Sequence, residues 1–216
     1  MEHEYSFLKH DRSKVYRVLA VLAAGIAGWF SAHVGLVSQY LGAFVDPVAA
    51  RVADVGVGIA ALYLLFDVYL WRFRVFSFRP FQRFLGLHDL SGRYRVSGTT
   101  LGPLEALDNG LPRHWQAEIE IRQRWTRVSI SQRSAGGSES WSQQAALKCQ
   151  GGRAVLMYSY RNDPSHAQRH ADNLQTHVGY CELTFEPSGE TATGFYFNNN
   201  GRITSGEMRL TKMEEG

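Results

Sequence analysis

Two long apolar stretches, Val18–Val37 and Val48–Trp71, stand in the first third of this 216-residue chain, and no continuous apolar run follows them. That asymmetry predicts a short helical hairpin in a membrane carrying a separate soluble domain behind it. The first stretch runs 20 residues without a charged side chain, enough for a helix to cross a bilayer core. The second is interrupted by Arg51, Asp54 and Asp67, yet its aliphatic and aromatic content still reads as a span. A cleaved signal peptide is the competing reading of the first stretch. It is set aside because the run exceeds the roughly 7–15-residue core of such peptides and a second apolar stretch follows closely.

Flanking charge sets the expected orientation. Lys9, Arg12, Lys14 and Arg17 precede the first span, and Arg72, Arg74, Arg79 and Arg83 follow the second. The connection Ser38–Pro47 carries Asp46 and no Lys or Arg. By the positive-inside rule both termini of a two-pass membrane protein face the cytoplasm. Residues 1–87 hold nine Lys/Arg against six Asp/Glu, whereas residues 88–216 hold 14 of each. The basic excess therefore belongs to the membrane flank. The neutral C-terminal part is no generic binder of DNA or RNA polymers, whose capture rests on net positive charge.

Three segments are expected: a tail and two-helix transmembrane hairpin (1–71), an amphipathic juxtamembrane linker (72–87) and a cytosolic domain (88–216). In the linker Arg alternates with Phe, which suits a membrane surface, and Pro80 prevents a continuous helix. From Leu90 onward the apolar period is two. Leu90–Ser97, Trp115–Ser134, Ser140–Cys149, Arg153–Arg161, Thr176–Glu186, Thr191–Asn198 and Ile203–Lys212 read as strands separated by Gly, Asn, Ser and Pro clusters. The fold class is thus membrane-anchored and mainly β, the soluble part a small antiparallel β-barrel of about eight strands, since closure removes exposed edges. In Trp115–Ser134 the apolar parity switches between Trp125 and Val128, which predicts a β-bulge near Thr126–Arg127.

No nucleophile elbow, phosphate-cradling P-loop or zinc-protease motif is present, and no enzymatic activity is expected. Cys149 and Cys181 are expected as reduced thiols on strands. His166 and His170 share an H-x3-H spacing inside a polar segment and read as a solvated loop, so neither a metal nor another cofactor is called for. What recurs is polar and aromatic residues two apart: Gln123 with Trp125; Ser138, Ser140 and Ser142; Tyr158, Tyr160 and Asn162; Tyr196 with Asn198. Such spacing puts each set on one face of its strand. A solvated outer face suits the serines. For Trp125, Tyr158 and Tyr160, core packing and a ligand-lined lumen both stand. An eight-stranded barrel has room for side chains or one small ligand.

Several pieces occur in order behind the hairpin. They are Ile119-x-Ile121-x-Gln123-Arg124-Trp125 with Val128 and Ile130, the Ser138–Ser142 alternation, and Tyr158-x-Tyr160-x-Asn162-x-Pro164. His177-x-Gly179, Gly194-x-Tyr196-Phe197 and Arg202-x-Thr204-x-Gly206 with Leu210 follow. On these residues the chain resembles the two-transmembrane β-barrel effectors of CBASS antiphage systems, the cyclic-oligonucleotide receptors associated with CD-NTase enzymes. It departs from their pattern at Tyr94, Arg124 and Asn198.

The resemblance implies a receptor for a cyclic dinucleotide made by a phage-activated CD-NTase. Ligand binding would drive homo-oligomerisation, disruption of the inner-membrane bilayer and abortive cell death. The ligand-binding residues expected are Gln123, Trp125, Ser138, Ser140, Tyr158, Tyr160, Asn162, His177, Tyr196, Arg202 and Thr204. Aromatic rings would stack on bases and Arg202 would pair a phosphate. In the hairpin, Ala20, Ala24 and Gly28, with Gly56 and Ala60, repeat small residues every four positions, a spacing that lets helices approach closely. Asp54 and Asp67 are costly in lipid and should face protein or water, completing the expected self-association surface. The alternative is an anchored lipocalin-like barrel that carries an apolar ligand or scaffolds an assembly.

Overall fold

The computed structural model describes residues 2–8, 11–33, 39–40, 46–72, 88–102, 113–150, 152–165, 175–199 and 203–214. The chain forms two compact units, one of residues 1–9 with 87–216 and one of residues 10–86. The first is built of strands: β1 (His3–Leu8), β2 (Gly92–Gly102), β3 (His114–Gln123), β4 (Arg127–Ser134), β5 (Glu139–Gln150), β6 (Arg153–Asp163), β7 (His177–Phe185), β8 (Thr191–Asn199) and β9 (Ser205–Lys212). They close in a ring in the order β1-β4-β3-β2-β9-β8-β7-β6-β5, with β5 returning to β1. The period-two segments from Leu90 onward are all strands, as the alternation predicts.

The ring differs from the expected eight antiparallel strands at its seam. β1, from the N-terminal tail, pairs antiparallel with β4 (His3 opposite Val128) and parallel with β5 (Tyr5 opposite Ala145, Leu8 opposite Lys148). β4 and β5 pair directly only over Ser131–Arg133 and Glu139–Trp141. Where they diverge, β1 fills the gap. A six-residue strand lying against a charged segment gives too short an alternation to be told from a tail.

The parity switch has a different cause from the one expected. β3 and β4 are antiparallel partners, with Ile121 opposite Ile130 and Gln123 opposite Val128. The Arg124 N–H donates to the Arg127 carbonyl at 2.7 Å, closing a tight hairpin around Trp125 and Thr126. In such a hairpin odd residues of one strand face even residues of the other, so both apolar sets point inward without a bulge. The bulge of this region lies in β5, where the register to β6 shifts between Ser142 and Gln144. There β5 leaves β4 for β1, and the inward face passes from Ser140 and Ser142 to Leu147.

The second unit holds α1 (Arg12–His33) and α2 (Pro47–Val68), followed by a 3-10 turn at Leu70–Arg72. Asp46 caps α2, its carboxylate accepting from the N–H groups of Val48 (2.7 Å) and Ala49 (3.3 Å), with Pro47 at the first helical position. The helices touch where a Cβ on Gly58 would press on Ala27, and where the rings of Tyr16 and Tyr63 lie 6.0 Å apart. Val15, Ala23, Ala27, Ala50, Phe66 and Asp67 are buried.

Among the described residues, one helix is long and apolar enough to cross a membrane, Val48–Val68. The expected two-span hairpin is not met in full. α1 carries Arg12, Lys14 and Arg17 in its first two turns, and only Val18–His33 of the first apolar stretch lies in its described helix. That leaves less than the ~20 residues a span needs. The rest of the stretch, Val34–Val37, and the linker beyond Arg72 lie outside the described residues.

Candidate functional site

Strand direction gives the ring two different ends. The chain leaves at Leu8 and returns at His88 on the end formed by Gly92, Gln123, Val128, Arg153, Phe185 and Lys212; this is the junction end. The far end is formed by Thr100, His114, Ser134, Glu139, Asp163, His177, Asn199 and Ser205.

The junction half of the interior is packed apolar core. Tyr94, Ile119, Ile121, Val128, Ile130, Leu147, Leu156, Leu183, Phe185 and Leu210 are buried. Tyr94 meets Phe185 edge-on at 5.6 Å, and its hydroxyl reaches the carbonyls of Leu90 (3.0 Å) and Gly189 (3.2 Å). Burial raises the Tyr94 phenol far above its usual range, so it stays a donor.

Gln123 and Trp125 belong to this end, and with Arg124 they dock β1. The Gln123 side-chain amide donates to the Tyr5 hydroxyl (3.2 Å) and the His88 carbonyl (3.3 Å), and its oxygen accepts from the Leu90 N–H (2.9 Å). The Tyr5 hydroxyl in turn donates a hydrogen bond to the Arg124 carbonyl at 3.2 Å. Arg124 pairs with Glu2 at 3.4 Å, and Trp125, fully buried, stacks on Phe7 at 6.5 Å. Ser142 joins the same seam: its hydroxyl accepts from the Ile130 N–H (3.0 Å) and donates to His3 Nε2 (2.7 Å). The donor assignment follows because His3 Nδ1 is spent on the Glu4 carbonyl at 3.0 Å. The Gln-Arg-Trp segment is thus a strand dock, a role hidden in sequence because its partner lies over 110 residues away.

The far half of the interior is polar and aromatic. Ser140, His177, Asn198, Thr100 and Thr204 are buried there, beside Trp115, Tyr160 and Tyr196. Asn198 holds two neighbours: its oxygen accepts from the Tyr160 hydroxyl (2.5 Å) and its NH2 donates to Thr204 Oγ1 (2.8 Å). With its amide so used, Asn198 sets the positions of Tyr160 and Thr204. The Tyr196 hydroxyl accepts from Trp115 Nε1 (3.2 Å) and lies 3.1 Å from Thr100 Oγ1, with the Trp115 and Tyr196 rings edge-on at 5.5 Å. His177 Nδ1 donates to the Gln175 carbonyl (3.2 Å), which makes Nε2 the acceptor of the neutral ring.

The structure therefore gathers Ser140, Tyr160, Asn162, His177, Tyr196 and Thr204 of the expected residues, with Asn162 opposite both Ser140 and His177. Tyr158 lies one layer deeper, 4% exposed and 6.1 Å from Tyr160. Burial drives its phenol well above the usual range, and burial likewise pushes the Cys181 thiol beside it up to about 12. Both stay protonated as packing groups. Ser138 closes the β4–β5 turn, its hydroxyl 2.7 Å from that of Ser134. Arg202, His166 and His170 lie outside the described residues.

Trp115 and Thr100 join this cluster although no sequence pattern singled them out. For Trp115 the signal was present: it has the parity of Ile119 and Ile121 on the same strand.

In the helical unit Ala20, Ala24, Gly28, Gly56 and Ala60 are exposed, and a Cβ on Gly28 or Gly56 would meet nothing within 4 Å. The helix contact uses Ala27 and Gly58 instead. Asp67 is 8% exposed and Asp54 half-buried, both shielded as their charge requires.

Comparison with known proteins bears on the same unit. The family model described as "Cap15, cyclic dinucleotide receptor domain" matches residues 86–212, the ring apart from β1. CD-NTase-associated protein 15 of Yersinia aleksiciae is 28% identical over 219 residues, covering 98% of this chain and 98% of that protein. The chain belongs to the Cap15 family of cyclic dinucleotide receptor domains and is a CBASS effector.

Proposed function

We propose that a cyclic dinucleotide binds inside the far end of the ring, against Trp115, Tyr160 and Tyr196, with Ser140, Asn162, His177 and Thr204 around it. The observation that carries this reading is the division of the interior. Apolar side chains fill the junction half, while the far half brings together aromatic rings and hydrogen-bonding groups, the chemistry that takes bases and a ribose-phosphate ring. A lipocalin-like role for a fatty ligand is disfavoured by the same division, because the apolar half is occupied by its own side chains. Arg202, just before Thr204 in sequence, is the proposed phosphate partner.

Binding then drives self-association, and the helices disrupt the inner membrane. Two observations support the membrane part. β1 precedes the helices and β2 follows them, yet both are strands of one sheet. The segment between them must cross the bilayer an even number of times. With α2 as one span, the stretch beginning in α1 supplies the other, and both termini share one face. The flanking Lys and Arg residues make that face cytoplasmic. Second, the small residues Ala20, Ala24, Gly28, Gly56 and Ala60 face away from the helix–helix contact. They are left to meet lipid or another copy. Dye release from anionic vesicles holding the full chain tests the sequence of events. Release should start on adding a cyclic dinucleotide and not on adding linear dinucleotides; release indifferent to the ligand contradicts the switch.

A further inference from the structure

Gly98 lies directly opposite Trp115, and Gly179 directly opposite Tyr160. At both places the aromatic ring occupies the space that a glycine side chain would need. A Cβ on Gly98 would fall on the Trp115 indole, and all three of its nearest atoms belong to that ring. A Cβ on Gly179 would strike the end of the Tyr160 ring, with Asn198 Oδ1 at 2.6 Å. The Trp115 indole therefore lies over the backbone of Gly98, and the phenol end of Tyr160 lies over that of Gly179. Tyr196 does the same over Gly206, although there the Thr99 carbonyl also excludes a side chain. Gly194 differs: a Cβ there would meet the Glu182 carbonyl and Leu183, with none of these rings among its nearest atoms.

We infer that Gly98 and Gly179 are positioning residues of the ligand site. They let Trp115 and Tyr160 lie flush with the wall, which keeps the far end of the ring open and presents two flat aromatic faces to two bases. The inference rests on the proposed cyclic-dinucleotide reading of this site. Any β-carbon at these positions lifts the ring into the lumen, closing the space and turning the stacking face away. Glycine in mid-strand otherwise weakens a sheet, and an aromatic neighbour laid across it offsets that weakness. The same packing thus serves the fold and shapes the site.

The test uses the full chain in detergent, titrated calorimetrically with a panel of cyclic dinucleotides, alongside the tryptophan emission change on binding. Gly98→Ala and Gly179→Ala are expected to weaken binding by roughly tenfold or more, the loss of one base stack. Gly98→Ala should also abolish the part of the emission change that Trp115→Phe removes. Gly194→Ala is expected to lower the melting temperature while the folded fraction binds within threefold of the parent.

The decisive arm is a double-mutant cycle. In a Trp115→Ala background, Gly98→Ala should change affinity no further and should fold as well as Trp115→Ala alone. If the parent binds the ligand and Gly98→Ala and Gly179→Ala bind it equally well, the glycines are not positioning residues. If Gly98→Ala costs as much without Trp115 as with it, or the double variant still fails to fold, the inference is likewise overturned. If the parent binds none of the panel, the cyclic-dinucleotide reading fails and the inference falls with it.

Discussion

The Gln123 amide donates to the Tyr5 hydroxyl at 3.2 Å, joining the strand that precedes the helices to the hairpin that follows them. Its other bonds hold His88 and Leu90, where the chain comes back into the ring. One buried side chain thus fastens both ends of the helical insertion. Replacing it with leucine strands the Leu90 N–H and removes the amide's bond to the Tyr5 hydroxyl. The predicted cost is about 1–3 kcal/mol, measured as loss of stability by denaturant titration. Ligand affinity of the folded fraction should stay within threefold, because the far end is untouched. An unchanged stability would mean that these bonds do not hold the seam.

The same seam predicts which fragment folds. Residues 88–216 alone lack β1 and expose the edges of β4 and β5, an invitation to aggregate. Residues 1–9 joined through a flexible linker to 87–216 should give a soluble monomer by gel filtration. Its melting temperature should exceed that of 88–216. Equal behaviour of the two would make β1 dispensable.

Acid should loosen this region. Burial holds the His88 imidazole below its usual range, and its buried Nδ1 has no hydrogen-bond partner among the described residues. The unfolded chain therefore binds the extra proton more readily. The stability that neutral His88 contributes is complete above about pH 6.5 and is lost as pH falls through the depressed folded value. Melting at pH 7.5 should exceed melting at pH 5, and His88→Phe should narrow the gap. A gap of the same size in the variant would assign the acid sensitivity to other groups.

In the helices, bulky replacement at the exposed Ala24 and Gly28 should suppress ligand-triggered vesicle leakage while leaving affinity unchanged. A Cβ on Gly28 meets nothing within the chain, so the substitution is not expected to unfold the helix pair. Loss of binding along with leakage would show that the stripe supports the fold instead.

The strands from β2 onward were legible because alternation survives any change of partner, and each inward set follows parity, interrupted in β5 by the register shift between Ser142 and Gln144. Three features were not. β1 is six residues long, and only its pairing with β4 and β5 distinguishes it from a tail. The Gln123-Trp125 set had the spacing of a lumen lining, but alternation cannot say which end of a ring a residue occupies; the tight turn at Trp125 puts it at the junction. Trp115 shared a visible face with Ile119, yet its place beside Tyr196 depends on two intervening strands, β2 and β9. Tyr160 and Tyr196 stood out by their period-two spacing, and His177 and Thr204 by the family resemblance; the order of strands and turns brings all four to the far end of the ring.

The central claim is that the far end of the ring holds the ligand and the junction end holds the fold. Calorimetric titration of the full chain with cyclic dinucleotides, run on Tyr160→Ala, Arg202→Ala and Gln123→Leu beside the parent, tests it most directly. Tyr160→Ala should lose roughly tenfold or more through the missing base stack, and Arg202→Ala about as much through the missing charged hydrogen bonds. Gln123→Leu should bind within threefold of the parent despite its lower stability. A ligand that leaves Tyr160→Ala and Arg202→Ala undisturbed but loses its grip on folded Gln123→Leu would place the site at the opposite end and contradict the account.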